Sequence, residues 1–579
     1  MIFYVLFKLL KRSERSFLMN NFKKVRSLFA MILLLAMIVS TFALSSCDIF
    51  GEISNVISGG NNHIPVPDTI DDNNRTLYQI YVRSFADSDG DGVGDIRGII
   101  ETFDLHLNDG DMSSGTDLGV QAIWLTPIFE GNSLHNYDAK DFYAVDEEFG
   151  TIDDLVELAE LCEERNVKLI LDLALNHTSS THKWFTEFKK AHQNGDKSNK
   201  YYDYYSWSSS YQTGYVQVDT GLWVEMFDPA DGTMPELNYN NKAVQNEMLN
   251  VAKFWLDLGV DGFRFDAIKH IYASSHSDSA SFLKWYTDEL RKIKPDIYLI
   301  GECWESNVDT MLQYYSAMSC FNFNLSNGKA NDGVILNLAK GSGSISNFTN
   351  SIVSLQNKIR AKNSNGMMSN FLSNHDMNRF VGSVNQRKMA ANLYLLTPGT
   401  PTIYYGEEIG MTGAGESVDD IKRRLPFKWG DTWTCEVPSQ LKSNSSDDND
   451  PEYIKYSNYV WDYSNSADEQ RYEEDSLLIH YTKVLKIRHT YSGIARGTYS
   501  VIDCGKSTLG GFYIKHESGN LVLLHNTSSQ EVTINLATIN NSNLKNHGDF
   551  EIADYVGVGD ASLDGTVLTL GPQTSVIIQ

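Results

Sequence analysis

The sequence predicts an α/β protein built on a (β/α)8 TIM barrel, with an insert after the third strand and an antiparallel β domain at the carboxyl end. Three observations predict it. Apolar runs such as Tyr78-Gln-Ile-Tyr-Val82, Ala122-Ile-Trp-Leu125 and Lys168-Leu-Ile-Leu-Asp172 alternate with amphipathic stretches, the pattern of parallel strands joined by helices. The chemistry-bearing residues follow such runs, at the strand ends on which barrels of this kind carry their sites. Beyond the helix expected from Leu477 to His489, short alternating segments such as Gly511-Phe-Tyr-Ile514 and Asn520-Leu-Val-Leu-Leu524 read as antiparallel strands.

In chain order, the first three runs above are the first three strands. Thr151 to Arg165 places Leu155, Leu158, Ala159 and Cys162 at helical spacing, so this stretch is expected to be the helix before the third strand. After His177 the periodicity breaks into a polar, aromatic segment, Lys200-Tyr-Tyr-Asp-Tyr-Tyr-Ser-Trp207, and resumes near Asn241. Its aromatic rings suit either a small core or sugar stacking. Further buried-strand runs precede Asp266 and Glu302. The expected boundaries are a targeting segment 1–47, a linker 48–71, barrel 72–177, insert 178–238, barrel 239–490 and β domain 491–579.

Four segments carry the chemistry: Asp172-Leu-Ala-Leu-Asn-His177, Gly262-Phe-Arg-Phe-Asp266, Gly301-Glu302 and Ser373-Asn-His-Asp376. Strand side chains alternate faces, so Arg264 and Asp266 point one way and Phe263 and Phe265 the other. A neighbouring guanidinium favours the ionised carboxylate, which is expected to lower the Asp266 pKa and leave a nucleophile. Glu302, expected near Asp266 and Asp376, is the acid, kept protonated by their charges. Two carboxyls in these roles, roughly 5 Å apart, describe glycoside hydrolysis with retention.

These four motifs resemble those of the α-amylase family, glycoside hydrolase family 13. Gly119-Val-Gln-Ala-Ile-Trp-Leu-Thr-Pro-Ile128, Met234-Pro-Glu-Leu-Asn238 and Gly399-Thr-Pro-Thr-Ile-Tyr-Tyr-Gly-Glu-Glu408 extend the match, which covers nearly everything from Thr76 onward. The resemblance implies Asp266 as nucleophile, Glu302 as acid/base and Asp376 as the carboxylate that holds the sugar through its 2- and 3-hydroxyls. It implies that His177, Arg264 and His375 line the subsite of the cleaved sugar, with Tyr137 stacked beneath. It also identifies the insert as the family's domain B.

Specificity signals point two ways within this resemblance. Lys269-His270 matches the α-amylase form, in which these residues contact sugars on the leaving-group side. His135-Asn-Tyr-Asp138 and Gly94-Asp-Ile-Arg-Gly98 look more like the oligo-1,6-glucosidase and neopullulanase branch, in which Asp138 and Arg379 block the non-reducing side. The expectation is an intermediate-type α-amylase acting on starch and maltodextrins, with α-1,6 hydrolysis or glucanotransferase activity as the alternative. A non-catalytic glucan-binding protein is disfavoured because the carboxylate set is complete.

Asp87-Ser-Asp89-Gly-Asp91-Gly-Val93-Gly-Asp95 matches a calcium loop through position nine, with carboxylates at one, three, five and nine, glycine at six and the Val93 carbonyl at seven. Gly98 replaces the bidentate Glu at position twelve, so the loop is not an EF-hand. The expected cofactor is Ca2+ in a stiffening role. A second calcium, of the kind many α-amylases hold beside domain B, has Asn176, Glu236 and the His270 carbonyl as candidate ligands.

Lys23, Lys24 and Arg26 precede an apolar run from Leu28 to Leu44 that closes with Leu44-Ser45-Ser46-Cys47, similar to a bacterial lipobox with Cys47 as the lipidated residue. An ordinary cleaved signal and an uncleaved anchor are the competing readings, and Met19 is a second candidate start. The expectation is a secreted, cell-surface lipoprotein, monomeric, membrane-bound only through its lipid. The net charge of −26 disfavours nucleic acid and leaves a neutral polysaccharide unaffected. The cysteines after Cys47 are scattered without metal-ligand spacing.

Overall fold

A computed structural model of the chain describes residues 74–111, 114–272, 275–326, 333–413, 420–436, 466–547 and 549–579. The amino-terminal apolar run, Cys47 and the tether through Asp71 lie outside them. Eight strands form one parallel sheet: β1 (Leu77–Ile80), β2 (Ala122–Leu125), β3 (Lys168–Leu173), β4 (Gly262–Phe265), β5 (Tyr298–Gly301), β6 (Ser319–Phe321), β7 (Met368–Ser369) and β8 (Thr402–Tyr404). Neighbours follow chain order from β1 to β7, and β8 pairs with β1. The β7 and β8 ends meet through Thr400 N–H to the Met368 carbonyl (2.9 Å) and Thr402 N–H to the Asn370 carbonyl (3.0 Å), which closes the barrel.

Strand alternation sorts the core into two layers. Trp124, Ile170, Tyr298, Ile300, Phe321 and Phe371 pack together inside the barrel. Ile123, Leu125, Leu169, Leu171, Phe263 and Phe265 belong to the larger cluster beneath the helices. Glycine opens β4 because a Cβ at Gly262 would lie 1.8 Å from the Tyr298 carbonyl oxygen of β5. The helix Ile152–Glu164 buries Leu155, Leu158, Ala159 and Cys162, as its spacing predicts, and starts with a reciprocal Thr151/Asp154 capping box. Such a cap contributes about 1 kcal/mol.

The first strand is shorter than its apolar run. After Tyr81 the chain tightens into a 3-10 turn at Val82–Ser84, with Ser84 N–H on the Tyr81 carbonyl, and enters the acidic loop. The insert carries a three-stranded antiparallel sheet, Trp207–Ser208, Tyr215–Asp219 and Leu222–Glu225, the last of these central. Tyr204 and Tyr205 are buried, so these two rings of the aromatic segment are core. At the carboxyl end, a five-stranded and a three-stranded antiparallel sheet enclose a separate core with Leu509, Val522, Leu524, Leu568 and Leu570. Cys162, Cys303, Cys320, Cys435 and Cys504 are all free thiols.

Candidate active site

Arg264 on β4 is the hub of the site. Its fully buried guanidinium donates from Nη1 to Asp172 Oδ1 (2.8 Å) and Asp266 Oδ1 (2.7 Å), and from Nη2 to Glu302 Oε2. The β3–β4 register sets Asp172 opposite Arg264, and the β4–β5 register sets Phe265 opposite Gly301, so the residues that follow, Asp266 and Glu302, leave adjacent strand ends. Ala267 then adopts a left-handed conformation (φ 45°), which costs an L-residue about 1 kcal/mol. That turn delivers Ile268 N–H to the Glu302 carbonyl at 3.1 Å and ties the two loops together.

The charges do not follow the simple pairing expected from sequence. Burial pushes the Asp266 carboxyl above its ordinary range, and Arg264 pulls it back only in part; the expected net lowering is corrected accordingly. Burial likewise pushes Asp172 up to about 7 against the pull of Arg264. Yet Asp172 accepts from Trp124 Nε1 (3.1 Å), Tyr137 OH (2.8 Å) and Arg264, three donors that suit an ionised carboxylate. One cation among Asp172, Asp266 and Glu302 leaves the group short of positive charge. The cluster therefore retains a proton easily, and Asp172 is poorly placed to carry it.

Asp376 lies in a different field. Its Oδ1 accepts from Arg424 Nη2 at 2.9 Å, and its Oδ2 is 3.1 Å from His375 Nε2. Burial raises its pKa, but His375, Arg424 and Arg264 outweigh burial and hold it at about 2. The neighbouring arginine, Arg423, donates from Nη1 to the Asp376 carbonyl (2.9 Å) and from Nε to Asn378 Oδ1 (3.1 Å). Neither arginine was singled out from the sequence. The basic run Lys422-Arg423-Arg424, about eighteen residues beyond the end of the eighth strand, was the available signal.

The other expected residues fall into two groups. Tyr137 and His375 stack at 5.4 Å with planes 9° apart, and Tyr137 OH meets His375 Nε2 at 2.7 Å, so the Tyr137 ring is braced by histidine. His177 is buried against Phe227 at 4.8 Å, and neither of its ring nitrogens has a well-formed hydrogen bond, the state of a polar group suited to a ligand. Burial lowers His177 to about 4 and His375 to about 3, so both are neutral donors or acceptors at ordinary pH. Lys269 Nζ reaches Glu305 (2.8 Å) and the Trp304 carbonyl (3.0 Å), and the His270 ring meets Phe227 of the insert edge-on.

Asp138 and Arg379 are likewise buried and bonded within the protein. Asp138 is buried and accepts from Ser133 Oγ and the Asn132 N–H. Arg379 is fully buried beside the Tyr404 and Tyr405 rings, 4.2 and 4.8 Å away, with its guanidinium on the Tyr405 and Arg423 carbonyls.

In the acidic loop, carboxylate oxygens of Asp87, Asp89 and Asp95 lie within 4.8 Å of one another, a donor set that suits calcium. Asp91 lies outside that group, its Oδ1 accepting from Val93 N–H at 2.7 Å. Beside the insert, Asn176 Nδ2 donates to Glu236 Oε1 at 3.3 Å, and burial, reinforced by Glu225, pushes Glu236 up to about 8.

The family model described as alpha amylase, catalytic domain, matches residues 79–497. Alpha-amylase 3 of Dictyoglomus thermophilum is 33% identical over 520 residues, 87% of this chain and 93% of that protein. A 4-alpha-glucanotransferase of Thermotoga neapolitana is 30% identical over 79% of this chain and 96% of its own length. Among solved structures, Eubacterium rectale Amy13B superposes with a TM-score of 0.77 at 29% identity, covering 89% of this chain and 97% of that one. With this closed barrel and this constellation of carboxylates, the chain belongs to the α-amylase family of glycosidases.

Proposed function

We propose that the protein is a retaining α-glucan hydrolase that cleaves α-1,4 bonds of starch and maltooligosaccharides. The observation that carries this reading is the convergence of Asp266 and Glu302 on the single guanidinium of Arg264. Two carboxyls sharing one cation support the short separation used for covalent catalysis rather than the wider one that admits a water. Asp266 attacks the anomeric carbon and forms a glycosyl ester. Glu302 protonates the departing oxygen, then takes a proton from the water that releases the sugar. Among the described residues the Glu302 carboxyl, like that of Asp266, accepts from Arg264 alone, which leaves it free to meet a glycosidic oxygen. Asp376, held ionised by Arg424, accepts from the sugar's 2- and 3-hydroxyls, and His177 supplies an otherwise idle donor beside them.

Calcium bound by Asp87, Asp89 and Asp95, with Asp91 and the Val93 carbonyl nearby in sequence, would screen their mutual repulsion and stiffen the start of the barrel. Asn176 and Glu236 are the pair proposed for a second ion. The lipobox-like segment supports export and anchoring of the chain by a lipid on Cys47, as a monomer tethered to the cell surface.

Glucanotransferase or α-1,6 activity is the second reading, favoured by the similarity to a 4-alpha-glucanotransferase over most of the chain. Product analysis over time on soluble starch, maltoheptaose and an isomaltooligosaccharide separates these. A rapid fall in starch chain length with mixed maltooligosaccharides is expected; glucose alone, longer transfer products or cleavage of the isomaltooligosaccharide would overturn the α-1,4 endo reading.

A further inference from the structure

A second cavity, of about 420 Å³, opens beside the loop that follows β4. It lies between the helices Lys242–Asp257 and His276–Ile293, which precede and follow β4. Because one helix runs down into β4 and the other runs down from it, both begin on the barrel face that carries Asp266. Lys242, Gln245, Asp278 and Ser281, which line the cavity, come from the leading halves of these helices. Tyr272, which also lines it, is two residues beyond His270, so their Cα atoms are at most about 7.6 Å apart. The cavity therefore adjoins the segment expected to contact sugars on the leaving-group side.

Its lining is built for a neutral, polyhydroxylated ligand. Phe282 forms an apolar floor, with its ring 5.7 Å from that of Trp285 and 6.4 Å from that of Tyr272. Trp285 and Tyr272 are only half-buried and offer ring surface to the opening. Around them stand the side-chain amide of Asn240, the Asp278 carboxylate and the Trp285 indole N–H, which make no hydrogen bond among the described residues, so each can serve a hydroxyl. One cation, Lys242, 5.2 Å above the Trp285 ring, and one anion, Asp278, leave the lining without net charge. Apolar rings with a few convergent polar groups are the composition of a small-molecule pocket, and 420 Å³ falls in the size range of such sites. Among the lining residues none belongs to the carboxylate cluster on Arg264, so the cavity binds and does not cleave.

We propose that this cavity is a secondary glucan-holding site that grips the substrate chain beyond its leaving-group end. It rests on the α-glucan reading above. A polymer held at two points dissociates more slowly than one held only at the cleft, whereas a short oligosaccharide gains nothing.

The test uses the Glu302→Gln protein, so that substrate is not consumed, with Trp285→Ala or Asn240→Ala added. Starch affinity is read by retardation in native gels containing soluble starch, and maltotriose affinity by calorimetry. Maltotriose, confined to the cleft, reports the integrity of the main site in each variant. The ratio of starch to maltotriose affinity is expected to fall about fivefold to tenfold in Trp285→Ala. In Asn240→Ala, which removes an exposed side chain with no hydrogen bond among the described residues, it is expected to fall about threefold. An unchanged ratio in both variants would overturn this site alone. Failure of the Glu302→Gln protein itself to bind either carbohydrate would overturn the glucan reading and this site with it.

Discussion

Arg424 Nη2 sits 2.9 Å from Asp376 Oδ1 while its Nε holds the His375 carbonyl at 3.0 Å, so one side chain fixes both the carboxylate and the backbone that presents it. Its own place is set from the turn after β1, because Ser84 Oγ donates to the Arg424 carbonyl at 2.7 Å and the guanidinium lies 5.6 Å from the Tyr81 ring. Asp376 is thereby tied to the segment after β1, two strands round the barrel mouth.

Replacing Arg424 with Met removes a charge-assisted bond and a positive neighbour of Asp376. The expected result is a loss of kcat/KM of about tenfold to a hundredfold, from 1.5–3 kcal/mol of lost interaction. Asp376, held at about 2 in the intact protein, loses one of the groups that offset burial, so its pKa rises and the acid limb of the pH–rate profile moves to higher pH. Arg424→Lys is expected to recover part of the shift. A pH profile with the wild-type acid limb in Arg424→Met would contradict the role.

Glu302→Gln keeps the shape of the site and removes the transferable proton. Turnover of maltoheptaose is expected to fall by about 10²–10⁴, the usual worth of general acid–base catalysis, with binding retained. Steady-state kinetics beside calorimetry with the same substrate checks this. Unchanged turnover would exclude Glu302 as the acid.

Glu407, directly after β8, is a buried carboxyl that the chemistry does not use. It accepts from Ser373 N–H (3.0 Å) and Ser373 Oγ (2.6 Å) and meets Tyr394 OH at 3.2 Å, so it fixes the start of the loop that carries Asp376. Burial pushes it up to about 7 despite those bonds. A carboxyl whose pKa is raised on folding favours the folded state fully below its unfolded value, and that contribution is lost as pH rises through the folded value. Between pH 5 and pH 8.5 the wild type should therefore lose stability through Glu407, up to an order of 3 kcal/mol. Glu407→Gln keeps an acceptor for Ser373 and does not titrate. Thermal melts across this range should show the variant gaining on the wild type as pH rises; a constant gap in Tm would contradict the expectation.

Calcium is expected to raise Tm and a chelator to lower it, by mass action of about 2.7 kcal/mol at a hundredfold excess over Kd. Asp87→Asn with Asp89→Asn should abolish the response. Calcium-independent melting of the wild type would remove the ion from the account.

The fold was legible because its signals are local. Period-two alternation around Arg264 separates Phe263 and Phe265, which pack beneath the helices, from the arginine that points into the barrel. The order of the apolar runs then gives which strand ends are neighbours, hence Asp172, Asp266 and Glu302 together. Arg424 was not legible because it returns to Asp376 across 48 residues from an aperiodic segment. The same holds for the charges: sequence shows that Arg264 and Asp266 share a face, but how many other carboxyls crowd that cation is a tertiary fact. Arg379 is a recognisable motif position whose bonds to the Tyr405 and Arg423 carbonyls no motif announces, because both partners lie far along the chain.

The central claim is that Asp266 becomes covalently bonded to the sugar. The most direct measurement is peptide mapping by mass spectrometry after reaction with a 2-deoxy-2-fluoro maltosyl donor bearing a good leaving group, which slows release of the intermediate. The account predicts one added glycosyl unit on the peptide containing Gly262-Phe-Arg-Phe-Asp266, located on Asp266 by fragmentation. An adduct on another carboxylate, or turnover of this donor with inversion and no adduct, would contradict it.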